Sequence, residues 1–246
     1  MQKNRLVDID FYKGIAIFLV VFYHFIFDLC LLKLAPIDPL ALPWIAIGRI
    51  AASTFILLAG TVFATSFLVM DTRKFIVRVL QRSLKLLAFA TIITLSFYTF
   101  EQRWSVLFGI LHFLAVAPLC ASIFIFFKRK WLFLVLALGI FLFTPMVTEI
   151  EVDHLWLITF GIIPNNIPFS DYFPFFPWLG IYFSGVFLGL ALYKPNARAL
   201  FGYTPSNHRI TRFLTLCGKY TLTIYLLHQP ILLAILYLYN ALYKVL

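Results

Sequence analysis

Charge is what this sequence has least of. Only ten of 246 residues are acidic and twenty are basic, so 12% of the chain is charged. A soluble globular domain carries about 25%. So few charges cannot cover a water-facing surface, and a soluble domain is excluded. Cysteine is scarce as well. Cys30, Cys120 and Cys217 form no CxxC pair, which removes a disulfide framework and a thiolate metal site from consideration. No GxGxxG, Walker loop, HExxH or GxSxG is present, so nucleotide-fold, zincin and serine-hydrolase readings have no footing. The five histidines are too scattered for a metal centre. No internal repeat stands out. The net charge of +10 forms no basic patch outside membrane-flanking loops, which excludes nucleic acid as a partner.

What is present is apolar. Hydrophobic types make up 63% of the residues and aromatics 19%, with a mean hydropathy of +0.96. A membrane-spanning helix needs about 20 predominantly apolar residues. Seven runs qualify: 14–33, 44–69, 82–100, 105–127, 131–148, 177–193 and 220–242. None alternates with a period of two, which argues against a membrane β-barrel. The expected fold is all-α: a polytopic integral membrane protein whose single domain spans 1–246. The first run exceeds a signal h-region, carries His24 and Asp28 and lacks a small-residue cleavage site, so it reads as a retained helix.

Lysine and arginine set the orientation. One set of loops holds Lys3, Arg5, Lys13, Arg73, Lys74, Arg78, Arg82, Lys85, Lys128, Arg129, Lys130, Lys194, Arg198, Arg209, Arg212 and Lys219. The other holds Lys33, Arg103 and Lys244 alone. By the positive-inside rule the first set and the N-terminus face the cytoplasm of a cell that carries the protein in its cytoplasmic membrane. Residues 71–82 place basic and apolar residues at helical spacing, which suggests an interfacial helix ahead of the third span. Residues 149–176 form a long external loop with no Lys or Arg, a candidate cover for a site. Residues 195–218 form a cytoplasmic loop.

Ionisable groups inside a membrane are costly, and each is by default a functional hypothesis. In "DFYKGIAIFLVVFYHFIFDL", Lys13 and His24 stand eleven residues apart. That is about three helical turns, or about 16 Å along one face. Asp28 follows one turn beyond His24. A single stripe therefore runs from a cation at the inner surface to a titratable ring at mid-membrane and on to a carboxylate. Arg49 and His112 lie about 8 Å inside the outer ends of their spans. His228 stands mid-span in "YLLHQP" beside Gln229, and Asp171 precedes the sixth span. Histidine is the side chain best suited to take a proton near neutral pH. Each group also has a structural alternative. Arg49 could pair with Asp28 merely to lock two helices, the histidines could bridge helices, and Lys13 could snorkel at the membrane edge.

The chain resembles the heparan-alpha-glucosaminide N-acetyltransferase catalytic domain family in its short prokaryotic form. "IDFYKGIAIFLVVFYHFIFDL", "IGRIAASTFILLAG", "FGILHFLAV", "DYFPFFPWLGIYFSGVFLG" and "LTIYLLHQPILL" carry the likeness, which covers nearly the whole chain. The related acyltransferase type 3 family has an arginine, ten residues and then histidine in its first helix. Here the spacing is kept with Lys13 in the arginine's place.

The resemblance implies an acyl-CoA-dependent O- or N-acyltransferase. Acetyl-CoA or another acyl-CoA would serve as cytoplasmic donor, and a glycan or lipid-linked hydroxyl or amine as acceptor. No metal is implied. His24 and Asp28 would be catalytic, while Lys13, Arg49, His112, Asp171, His228 and Gln229 would bind substrate. The bilayer is the other partner. A homodimer is compatible with the sequence, which does not set the oligomeric state. The alternative is a small proton-coupled transporter that uses His24 and Asp28 as a relay, although visible inverted repeats are missing.

Overall fold

A computed structural model of the protein describes residues 6–100, 106–150, 152, 155–162, 171–193 and 208–243. These residues form helices and contain no strand. In chain order the helices are α1 (Val7–Leu31), α2 (Leu42–Val69), α3 (Thr72–Phe100), α4 (Ile110–Ile125), α5 (Lys130–Thr148), a 3-10 helix (Leu155–Phe160), α6 (Phe175–Leu192), α7 (Arg209–Lys219) and α8 (Thr221–Tyr243). α1, α2, α5, α6 and α8 are long and apolar enough to cross a membrane, and α4 is a shorter apolar helix. The protein is a multi-pass membrane protein. Helices satisfy their own backbone polar groups, which lipid cannot do for them.

Three sequence expectations need correction. The basic stretch 71–82 is not a separate interfacial helix, because α3 runs unbroken from Thr72 to Phe100. Its 29 residues extend about 43 Å, while the hydrocarbon core is about 30 Å thick. The basic end therefore has room to project beyond the apolar layer. Asp71 starts this helix by accepting the Lys74 backbone N–H at 3.0 Å, and it pairs with the Lys74 ammonium at 3.0 Å. These contacts hold the exposed Asp71 carboxyl below the usual carboxylate range. Second, the 195–218 loop ends in a helix, α7, whose Ile210, Phe213, Leu214 and Cys217 recur at helical spacing. Third, the 149–176 loop includes the 3-10 helix Leu155–Phe160. Half of the rest of that loop lies outside the described residues.

The chain divides into two compact units, 1–55 with 197–246, and 56–196. In the first, Ile17 and Val20 of α1 and Ala51 of α2 form a core flanked by Phe55, Cys217, Ile224 and Tyr225. α1 and α7 meet backbone to backbone. A Cβ on Gly14 would collide with the Leu214 carbonyl, and one on Gly218 with the Asp10 carbonyl. Only glycine allows this approach, a common device where helices associate without a hydrophobic driving force.

In the second unit, α2 and α6 cross at Gly185, whose missing Cβ makes room for the Leu57 carbonyl. Thr61 Oγ1 donates to the Gly185 carbonyl at 3.1 Å across that crossing. Aromatic edges fill the remaining core: Phe63 against Phe75 at 5.2 Å and Phe133 against Phe183 at 5.6 Å between ring centres.

Candidate functional site

In the first unit, α1 and α8 bring four polar side chains together. The His24 and His228 rings stand 4.8 Å apart, edge to face at 80°. Asp28, one turn past His24, is fully buried, and Gln229 Nε2 donates to its Oδ1 at 2.7 Å. His228 is 8% exposed and His24 is half-buried. Residues 201 positions apart in the chain are thus joined at one point.

The backbone fixes both imidazoles. His24 Nδ1–H donates to the Val20 carbonyl at 2.9 Å, and His228 Nδ1–H donates to the Tyr225 carbonyl at 2.6 Å. A carbonyl can only accept, so each Nδ1 carries a proton, and in the neutral ring each Nε2 presents a lone pair. That is the tautomer a general base needs. His228 Nε2 is buried and has no hydrogen-bond partner. The same is true of Asp28 Oδ2 and Gln229 Oε1. Burying polar atoms without partners is expensive. All three are acceptors, so the group that would satisfy them is rich in hydrogen-bond donors. Pro230 follows at once inside α8 and contributes no backbone N–H to that helix.

The other expected residues divide between the units. Lys13 is half-buried on the same helix, about 16 Å from His24 toward its start. Arg49 is exposed and does not form the ion pair with Asp28 that was its structural alternative, and the Asp28 Oδ1 accepts from Gln229 instead. Arg49 interacts electrostatically with the Tyr23 phenol. Tyr23, which sequence reasoning did not single out, sets its ring edge-on to His24 at 5.7 Å.

His112 and Asp171 belong to the second unit. His112 stacks on Phe108 at 6.0 Å, and its buried Nδ1 has no partner. Asp171 accepts the Ile110 backbone N–H at 3.1 Å, at the first turn of α4. Two residues on, the Phe173 N–H donates to the Phe108 carbonyl at 2.8 Å. Asp171 thus caps a helix from 61 positions away. Burial pushes its carboxyl up to about 6, against the pull of the Ile110 N–H. Among the described residues no group of three or more His, Cys, Asp or Glu side chains is placed to hold a metal ion.

A family model described as "Heparan-alpha-glucosaminide N-acetyltransferase, catalytic" matches residues 5–230. No curated protein and no solved structure matches the chain. The match takes in nearly the whole sequence, including all of α1 and the part of α8 that carries His228 and Gln229. The chain therefore belongs to the heparan-alpha-glucosaminide N-acetyltransferase catalytic family and is a membrane acetyltransferase.

Proposed function

We propose that the α1–α8 cluster is the acyl-transfer site, with His24 as general base. The observation that carries this reading is the ring of buried, unsatisfied acceptors on Asp28, His228 and Gln229 beside an imidazole whose tautomer is fixed. An acceptor hydroxyl or amine would supply the missing donors. Its nucleophilic atom attacks the thioester carbonyl while its proton passes to His24 Nε2. The C–S bond then breaks, and the imidazolium returns the proton to the departing sulfur, leaving CoA as thiol. Asp28 and Gln229 orient the acceptor, and His228 accepts a further donor from it.

The family in general takes its acetyl group from acetyl-CoA. We infer that the donor enters from the cytoplasmic side, where the lysine and arginine excess lies, and passes Lys13 on the way to His24. The acceptor, a glycan or lipid-linked sugar, comes from the opposite side. We treat residues 1–246 as one functional domain, since the family match runs through both units. Family membership favours this reading over a proton-coupled transporter.

Thiol release from acetyl-CoA by the purified chain in lipid nanodiscs, with a panel of amino sugars and lipid-linked glycans, is the direct test. Acceptor-dependent release that disappears in His24→Ala, at unchanged thermal stability, is the expected result. A stable His24→Ala protein with full activity would remove the histidine from the chemistry.

A further inference from the structure

The second unit holds a small, partly open cleft between α2, α3, α4 and α6. Arg78 and Arg82 line it beside Tyr182, Ser66, Phe63 and Phe75. The two arginines are one helical turn apart on α3 and close enough to interact as like charges. A like-charged pair at this spacing is unfavourable unless something neutralises it. Among the described residues nothing does. Arg78 reaches only the Met70 sulfur, at 3.5 Å, a weak acceptor. The neighbouring carboxylate, Asp71, is engaged by Lys74.

Tyr182 supplies an independent observation. Its side chain is 1% exposed, it lines the cleft, and its hydroxyl has no hydrogen-bond partner. The phenol also lies within electrostatic reach of the Arg82 guanidinium. Two guanidinium forks and one buried phenol therefore line the same cleft, and all three carry donors. Arginine forks match the tetrahedral oxygens of phosphate. The cluster lies in the basic first part of α3, within about 15 Å of the helix start, in the segment expected at the cytoplasmic surface.

We propose that Arg78, Arg82 and Tyr182 form a binding site for a phosphate group at the cytoplasmic face. Two molecules available there carry that chemistry: the phosphates of a CoA donor and the headgroup of an anionic phospholipid. The site needs no acceptor and is separate from the question of which residue catalyses transfer.

The test uses the full chain in neutral phosphatidylcholine nanodiscs. In one arm CoA is titrated and its affinity measured. In the other, phosphatidylglycerol replaces a fifth of the lipid and the gain in thermal stability is recorded. Wild type should respond in at least one arm, and the arm that responds names the source. Arg78→Gln and Arg82→Gln should each weaken that response about tenfold or more, the scale of a lost charge-assisted contact. Tyr182→Phe should weaken it about threefold or more while leaving the ligand-free protein as stable as wild type, because the hydroxyl it removes has no partner to lose. The proposal is overturned if wild type responds in neither arm, or if all three variants respond within twofold of wild type. Acceptor-dependent CoA release by His24-intact protein is scored separately, so failure of this site leaves the acyl-transfer reading standing.

Discussion

Replacing Gln229 by methionine keeps the length of the side chain and removes its amide. Asp28 Oδ1 then loses the 2.7 Å bond from Gln229 Nε2, the hydrogen bond that holds it among the described residues. Asp28 is fully buried, and its Oδ2 already has no partner. Stranding a buried acceptor costs about 1–3 kcal/mol. Hydrogen bonds between membrane helices couple more weakly on average, about 0.6 kcal/mol and up to about 1.7. The short distance and complete burial place this bond at the upper end. The double-mutant cycle of Asp28→Leu with Gln229→Met should therefore give a coupling of about 1–2 kcal/mol. In a chain of this size about 1 kcal/mol moves the melting temperature by about 2–4 °C. Gln229→Met should then melt several degrees below wild type in detergent, and the double variant should recover part of that loss, because two apolar side chains leave no orphan behind. Melting shifts that simply add, within about 0.3 kcal/mol, would refute the claim that this bond joins α1 to α8.

Three further outcomes follow from the same geometry. His24→Asn keeps a donor near the Nδ1 position for the Val20 carbonyl but has no Nε2, so acceptor-dependent CoA release should fall about 10²–10⁴-fold, with stability kept within about 1 kcal/mol; full activity in this variant would assign the base elsewhere. Gly218→Ala pushes a methyl into the Asp10 carbonyl and should destabilise the protein by about 1–3 kcal/mol or more, read as a lower melting temperature; an unshifted melt would show that α1 and α7 separate freely. Asp171 has a folded-state carboxyl raised to about 6 from an ordinary 3.8, so between those values the folded chain binds more protons than the unfolded one. Its contribution to stability is greatest below about pH 4, declines as pH rises to about 6, and is constant above. Melting temperature measured across that window should decline more steeply for wild type than for Asp171→Asn, and parallel profiles would show that Asp171 does not titrate there.

The sequence by itself determined the class of the protein and the register of its helices. Among the described residues seven of the eight α-helices overlap the apolar runs, with α3 starting ten residues ahead of its run, because a stretch of about 20 apolar residues is written in composition. The eleven-residue spacing of Lys13 and His24, and the four residues from His24 to Asp28, fixed their shared face once α1 was known to be unbroken. α7 was legible as the recurrence of Ile210, Phe213, Leu214 and Cys217 but was hidden in a polar loop. Which distant group meets His24 was not legible. Arg49 and His112 near the outer ends of their spans and His228 at mid-span were all candidates, and depth says nothing about the direction in which a helix turns its side chains. The packing of α1 against α8 chose His228 and Gln229, and it left Arg49 exposed. Asp171 likewise reads as a substrate ligand by type and as a helix cap by position. The tautomers of both histidines, the unmet acceptors around them and the meeting of Arg78 and Arg82 with Tyr182 all depend on distances between separate helices. Such distances are set by close packing in three dimensions, where a missing methyl on Gly14 or Gly218 matters as much as any charge.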